Sequence, residues 1–375
     1  MTFCYSPWTN LDISPNGIIS PCCKFTTSKY KEQFNLQTHS IGEYFSSDFL
    51  EQIKQDFKNN EWPDGCERCR IEEENNISSK RQLDYERWAS HYDSYDQDSN
   101  QIITASIAFG NTCNLKCITC NSNASSRWQK EYQDIYHVNI EHFKFYKKNF
   151  VNIFTSLATN LVHIDLPGGE PFLSGVEEQK ELLNYYIQSG QAPNITLHYT
   201  TNGTIFPGYE WWNLWKSFKE IDLQLSVDGI EKQYEYIRFP ASWETFVKNA
   251  KQYIIKEKEI LNLRLSVSHT VSAYNIMYLD NFFNWCYNIG LPRPWLGRVH
   301  NPNHMRPSVW GTEAKTLIIN TLLNSQYEDV KVWANLISNT NDDMFFKLFK
   351  QKLKEHDEYR GLNFSETFPE LANYI

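Results

Sequence analysis

From Gln101 onward, short apolar runs alternate with longer amphipathic stretches. The runs Ile102–Phe109, Leu161–Leu166, Ile195–Thr200, Ile221–Val227, Leu263–Val271 and Trp295–Val299 predict six strands. Amphipathic segments between them, such as Val176–Ser189, Tyr209–Lys219 and Ser242–Lys256, predict helices. This alternation is the pattern of βα units and hence of an α/β fold with a parallel sheet. Turn-forming residues follow the strand ends at Asn111, Pro167-Gly168-Gly169, Asn202-Gly203 and Asp228-Gly229. In parallel βα architectures, loops at the carboxyl ends of strands build the active site.

The first hundred residues follow a different pattern. Residues 1–83 read as a small Cys-bearing α+β domain: Pro15-Asn16-Gly17 is a strong hairpin turn between two short apolar strands, and Ile41–Lys58 predicts a helix. Residues 84–100 are polar, acidic and tyrosine-rich and read as a linker. Residues 101–306 then form the core domain, and 307–375 a helical extension without evident chemistry. No internal repeat interrupts this order.

Composition narrows the function classes. The chain is 41% hydrophobic and 15% aromatic, which supplies a packed core. A net charge of −9 argues against general binding of a nucleic-acid backbone. Met1-Thr2-Phe3-Cys4-Tyr5 lacks the features of a signal peptide, and no apolar stretch is long enough to cross a bilayer. A cytoplasmic location is therefore expected, with no membrane partner. In that compartment, cysteines favour metal or catalytic roles over disulfides. Cys286, alone in the apolar run Phe282-Phe283-Asn284-Trp285-Cys286, reads as core.

Cys113, Cys117 and Cys120 fall in the pattern C-x3-C-x2-C directly after the first core strand. Three such thiolates hold a 4Fe-4S cluster at three irons and leave the fourth open, whereas a fully protein-held cluster takes four. Zinc ligands or buried thiols are the bland alternatives; zinc usually takes paired C-x2-C units and four closed ligands.

This triplet resembles the signature of the radical S-adenosylmethionine (SAM) enzymes. Leu166-Pro167-Gly168-Gly169-Glu170-Pro171 matches their Gly-Gly-Glu-Pro motif, and Thr201-Asn202-Gly203 and Ser226-Val227-Asp228-Gly229 match two further motifs. The resemblance implies a partial (β/α)6 barrel of the TIM-like type. It implies that the open iron chelates SAM, which is reductively cleaved to methionine and a 5′-deoxyadenosyl radical that abstracts hydrogen from a substrate. Gly168, Gly169 and Glu170 would contact the SAM amino group. Asn202, Ser226 and Asp228 would contact ribose or methionine, and Arg238 the SAM carboxylate. Each has a bland alternative as a turn residue or surface ion pair. Thr119 departs from the family, whose residue before the third cysteine is often aromatic. His269, in the fifth-strand region, reads as a core histidine, and no catalytic side chain is nominated.

A second cysteine set lies near the N-terminus: Cys4, Cys22-Cys23, and Cys66-x2-Cys69. The hairpin would bring Cys4 and Cys22 together, and the following helix would return the chain to the Cys66–Cys69 knuckle. The pattern resembles the auxiliary-cluster module called twitch, a reduced relative of the SPASM domain, here preceding the barrel. The resemblance implies that Cys4, Cys22, Cys66 and Cys69 hold an auxiliary 4Fe-4S cluster, with Cys23 as the substitute for Cys22. A structural zinc is the alternative.

The expected activity is thus that of a radical SAM enzyme, oxidising or crosslinking a peptide or protein substrate. A dehydrogenase of a small alcohol or sugar is the alternative, and a non-catalytic iron–sulfur or zinc protein the alternative of another class. A reductant such as flavodoxin or ferredoxin is implied as partner. The resemblance spans roughly Phe3 to Pro307.

Overall fold

The computed structural model describes residues 2–27, 30, 33–74, 78–92, 100–138 and 149–375. Part of the stretch read as a linker, residues 93–99, lies outside them. The chain divides into two compact units, residues 1–112, 142–199 and 209–221, and residues 113–141, 200–208 and 222–375.

In the first unit the N-terminal hairpin forms as expected. β1 (Asn10–Ile13) pairs antiparallel with β2 (Ile19–Ser20), and Gly17 takes φ +81° in the turn between them. β1 also pairs in parallel with β3 (Thr104–Ile107), Asn10 lying opposite Thr104 and Ile13 opposite Ile107. The N-terminal segment therefore extends the sheet of the βα region. β3 pairs in parallel with β4 (His163–Leu166), and β4 with β5 (Thr196–Thr201). The helix expected at Ile41–Lys58 is two helices, Ile41–Phe45 and Asp48–Lys58. Ser47 caps the second by accepting from the Leu50 N–H. Residues 80–92 are helical as well, with Trp88 and Tyr92 buried.

In the second unit, β6 (Glu220–Ser226, whose first two residues belong to the first unit), β7 (Leu263–Val271) and β8 (Trp295–Arg298) follow one another in the strand order. β7 and β8 pair in parallel. All six strands predicted from the hydrophobic runs form, and the fold is α/β with a parallel sheet, as expected. The C-terminal extension contributes helices Thr312–Leu323, Glu328–Asn339 and Phe346–Arg360. Its Phe349, Phe364 and Phe368 pack with Tyr274. Among the described residues no helix is long and apolar enough to cross a membrane.

One face of the strands departs from what a buried parallel sheet usually presents, which is near-continuous apolar sequence. Ile164 and Leu166 of β4, Leu197 and Tyr199 of β5, and Leu223 and Leu225 of β6 are buried core. The alternate positions are His163 and Asp165, Thr196 and His198, and Asp222, Gln224 and Ser226. Successive strand residues point to opposite faces, so one side of each strand is apolar and the other polar.

Candidate active site

The triplet lies in a loop held by backbone and side chains of the second unit. Lys116 N–H donates to the Phe239 carbonyl (2.8 Å) and Ile118 N–H to the Ile237 carbonyl (2.7 Å), so the loop pairs with the residues flanking Arg238. Trp128 Nε1–H donates to the Cys117 carbonyl at 3.0 Å, and Ser125 Oγ to the Leu115 carbonyl. Two donors face the Cys113 sulfur: Leu115 N–H at 3.4 Å and the Asn202 amide at 3.9 Å. Asn202 also donates to Asn114 Oδ1 at 2.9 Å. Burial pushes the Cys117 thiol up, opposed by Arg238 and reinforced by Cys120 and Cys113. Burial likewise lifts Cys120 to about 11. The three thiols thus share one partly buried electrostatic environment.

Arg238 and Asp228 form a buried pair with Nη2 to Oδ2 at 2.9 Å. Burial works against the Arg238 charge, but Asp228 outweighs it and raises its pKa. The other Asp228 oxygen accepts from Thr270 N–H at 2.8 Å, while Arg238 Nε has no hydrogen-bond partner among the described residues. Ser226, at the end of β6, stands 3.3 Å from the Ser268 hydroxyl. His269 is 1% exposed, with Nδ1–H donating to the Val227 carbonyl at 2.8 Å; burial lowers its pKa to about 4. Its place in the core matches the expectation, as does that of Cys286.

Gly168, Gly169 and Glu170 belong to the first unit. Glu170 N–H donates to the Thr112 carbonyl at 2.9 Å, and Gly169 N–H to the Gly110 carbonyl at 3.3 Å. A Cβ on Gly169 would lie 2.3 Å from the Thr112 oxygen. The close approach that these glycines permit is thus first of all to the protein's own backbone, immediately before Cys113. Glu170 is fully buried.

The N-terminal cysteines also lie in the first unit. Burial raises the thiols of Cys4, Cys22 and Cys66, with Cys69 acting on Cys4 and Cys66, and Cys4 and Cys66 acting on Cys22. Cys23 is exposed, with Lys80, Asp12 and Asp165 its charged neighbours. Cys4 and Cys66 are therefore electrostatic neighbours of both Cys69 and Cys22, and Cys22 also feels the adjacent Cys23 and Lys80.

Among the described residues, no three His, Cys, Asp or Glu side chains close up as a single-ion cage. One ion draws its ligands together, while cluster thiolates each bind a separate iron. The fit of either group rests on the donor chemistry: thiols only, in a set of three with N–H donors facing a sulfur, and in a set of four.

Sequence reasoning missed Lys116, Trp128, Glu131, His356 and Arg360, which converge beside the triplet. Their partners lie up to 229 residues apart, so no local pattern announces them. A cavity of about 750 Å³ adjoins Thr119 and Cys120, lined also by Trp128, Tyr132, Tyr136 and Lys352. It went unforeseen for the same reason.

Residues 4–70 match the family model of the SPASM iron–sulfur cluster-binding domain. The N-terminal cysteine pattern is thus that of a SPASM domain, in agreement with the resemblance drawn from its spacing. None of the curated proteins matches the chain significantly. Solved structures similar to it include native anSMEcpe with bound AdoMet, 16% identical, covering 60% of this chain and 61% of that one, with a TM-score of 0.44. Streptococcus suis SuiB bound to S-adenosylmethionine is 14% identical, covering 96% and 73%, with a TM-score of 0.40. SuiB bound to its precursor peptide SuiA is 14% identical, covering 99% and 75%, with a TM-score of 0.38. The chain spans about three fifths of the length of anSMEcpe.

Proposed function

We infer that this chain is a radical SAM enzyme with an auxiliary metal centre, acting on a peptide or protein by oxidation or crosslinking. The observation that carries the reading is the set of three thiols, Cys113, Cys117 and Cys120, in one partly buried, hydrogen-bonded loop beside the Arg238–Asp228 pair. When bound, a 4Fe-4S cluster and SAM would supply reductive cleavage and a 5′-deoxyadenosyl radical.

The chain's own residues prepare that site. The triplet thiolates would hold the cluster, and the donors at the Cys113 sulfur would stabilise its negative charge. Gly168 and Gly169 would offer peptide groups to the SAM amine. Arg238 would meet the carboxylate through its guanidinium, oriented by Asp228. Asn202 and Ser226 would serve ribose hydroxyls. Cys4, Cys22, Cys66 and Cys69 would hold the second centre, an iron–sulfur cluster or zinc.

One observation favours a second reading, a small alcohol or sugar substrate. A cavity of about 140 Å³ in the first unit is lined by polar strand residues, among them Ser106, Asp165 and His198, together with Lys80 and Asp84. Groups of that kind suit hydroxyls.

The test is anaerobic incubation of reconstituted protein with SAM and dithionite, followed by quantification of methionine and 5′-deoxyadenosine. Both products should form with the wild type and vanish in Cys117→Ala. Absence of both from the wild type would remove the enzyme reading.

A further inference from the structure

A charge network centred on a buried carboxylate joins three segments of the second unit. Lys116 comes from within the cysteine triplet, Glu131 from helix Trp128–Tyr136, and His356 and Arg360 from helix Phe346–Arg360. Glu131 has no exposed surface. Its carboxylate accepts from Lys116 Nζ at 2.7 Å, His356 Nδ1 at 2.8 Å, and Arg360 Nε at 3.0 and 3.1 Å. Burial alone would raise its pKa, but these partners outweigh burial and hold it at about 2.

The network does not balance internally. Glu131 faces two permanent cations, an excess of one positive charge among the paired groups before His356 is counted; the nearby Asp357 carboxylate is engaged instead by the Tyr236 hydroxyl and the Phe364 N–H. Both Arg360 Nη atoms are buried with no hydrogen-bond partner among the described residues. The guanidinium instead lies 4.7 Å over the Trp128 ring, whose Nε1–H donates to the Cys117 carbonyl. The neighbouring Arg238–Asp228 pair is neutral as a pair and supplies no compensating charge. Uncompensated buried charge is costly, so a protein that keeps it usually has a counter-charge nearby. Three metal-bound thiolates would bring negative charge to this loop.

We propose that the Glu131-centred network is a fixed positive counter-charge that tunes the reduction potential of the iron–sulfur cluster held by Cys113, Cys117 and Cys120. The proposal rests on the radical SAM reading and gives the C-terminal helix a role in it. Reduction adds negative charge to the cluster, and a nearby buried positive charge favours that state, since interior charges act through a low dielectric. Lys116 and Arg360 raise the potential, Glu131 lowers it, and His356 orients the carboxylate. All four are positioning residues.

The experiment is an EPR-monitored redox titration of the reconstituted full-length protein and its variants, with the melting temperature of each metal-free variant as a folding control. Lys116→Gln and Arg360→Gln should move the SAM-sensitive signal to lower potential, and Glu131→Gln to higher potential. Opposite signs separate charge tuning from local loosening, which would move all three alike. Shifts of one sign, or no shift, overturn the proposal. If Glu131→Gln fails to retain iron, Arg360→Lys decides: it should keep the wild-type potential while Arg360→Gln lowers it, and equal potentials in these two variants overturn the proposal. A wild-type protein without a SAM-sensitive signal removes the radical SAM reading and this inference together. Unchanged potentials in a protein that has the signal remove only the inference.

Discussion

Glu170 donates its backbone N–H to the carbonyl of Thr112 at 2.9 Å, so the Gly-Gly-Glu-Pro turn is bonded to the residue immediately before the first triplet cysteine. The two bonded residues lie 58 positions apart along the chain. Gly169 allows it, because a Cβ there would meet the Thr112 oxygen at 2.3 Å. Gly169→Ala should therefore displace the segment 110–112 and cost about 1–3 kcal/mol by overpacking. Urea unfolding would measure that cost, and iron retention would fall with it. A variant of wild-type stability and iron content would contradict the account.

Cys22 and Cys23 should behave differently although they are adjacent. Cys22 is partly buried and has Cys4 and Cys66 among its neighbours beside Cys23 and Lys80, whereas Cys23 is exposed, with Lys80, Asp12 and Asp165 about it. Cys22→Ser should lose the N-terminal metal, about four irons for a cluster or one zinc. Cys23→Ser should keep it. Equal metal content in the two variants would contradict this ligand choice.

The pattern of the chain disclosed much of this architecture, and the gaps have physical causes. All six core strands followed from apolar runs, because burial of a strand face is written locally in β4 to β7. The pairing of β1 with β3 did not, since it joins Asn10 to Thr104 across 94 residues. The polar alternation His163, Asp165 and His198 was present in the sequence and marks the strand face that the polar cavity adjoins. Among the candidate site residues, the triplet could be read because ligand spacing is local. Glu131, His356 and Arg360 could not, because a buried ion network depends on which distant helices meet.

The C-terminal extension should be indispensable to the second unit. Phe349 is fully buried, with ring centroids 5.2 Å from Tyr274 and 5.3 Å from Trp310. Phe349→Ala should cost about 3–5 kcal/mol, measured by denaturant unfolding. A loss below about 1 kcal/mol would show that the extension packs loosely.

His269 should make stability depend on acid pH. Its folded pKa, lowered by burial to about 4, lies below the unfolded value of about 6.5, so the unfolded chain binds the extra proton between these limits. Its stabilisation is complete above about pH 6.5 and is lost as pH falls towards 4, by about 3 kcal/mol. Asp12 acts oppositely, since burial raises it to about 6 and protonation then favours the fold. Comparing the wild type with His269→Gln isolates the histidine. The stability difference should change between pH 6.5 and 4 and be constant above; a difference independent of pH would refute the assignment.

The most direct measurement is an iron count with Mössbauer and EPR spectra of the anaerobically reconstituted protein, with and without SAM. The account predicts about eight irons per chain, or about four with one zinc, and one reduced signal that changes when SAM is added. Little iron and no signal that responds to SAM would contradict it.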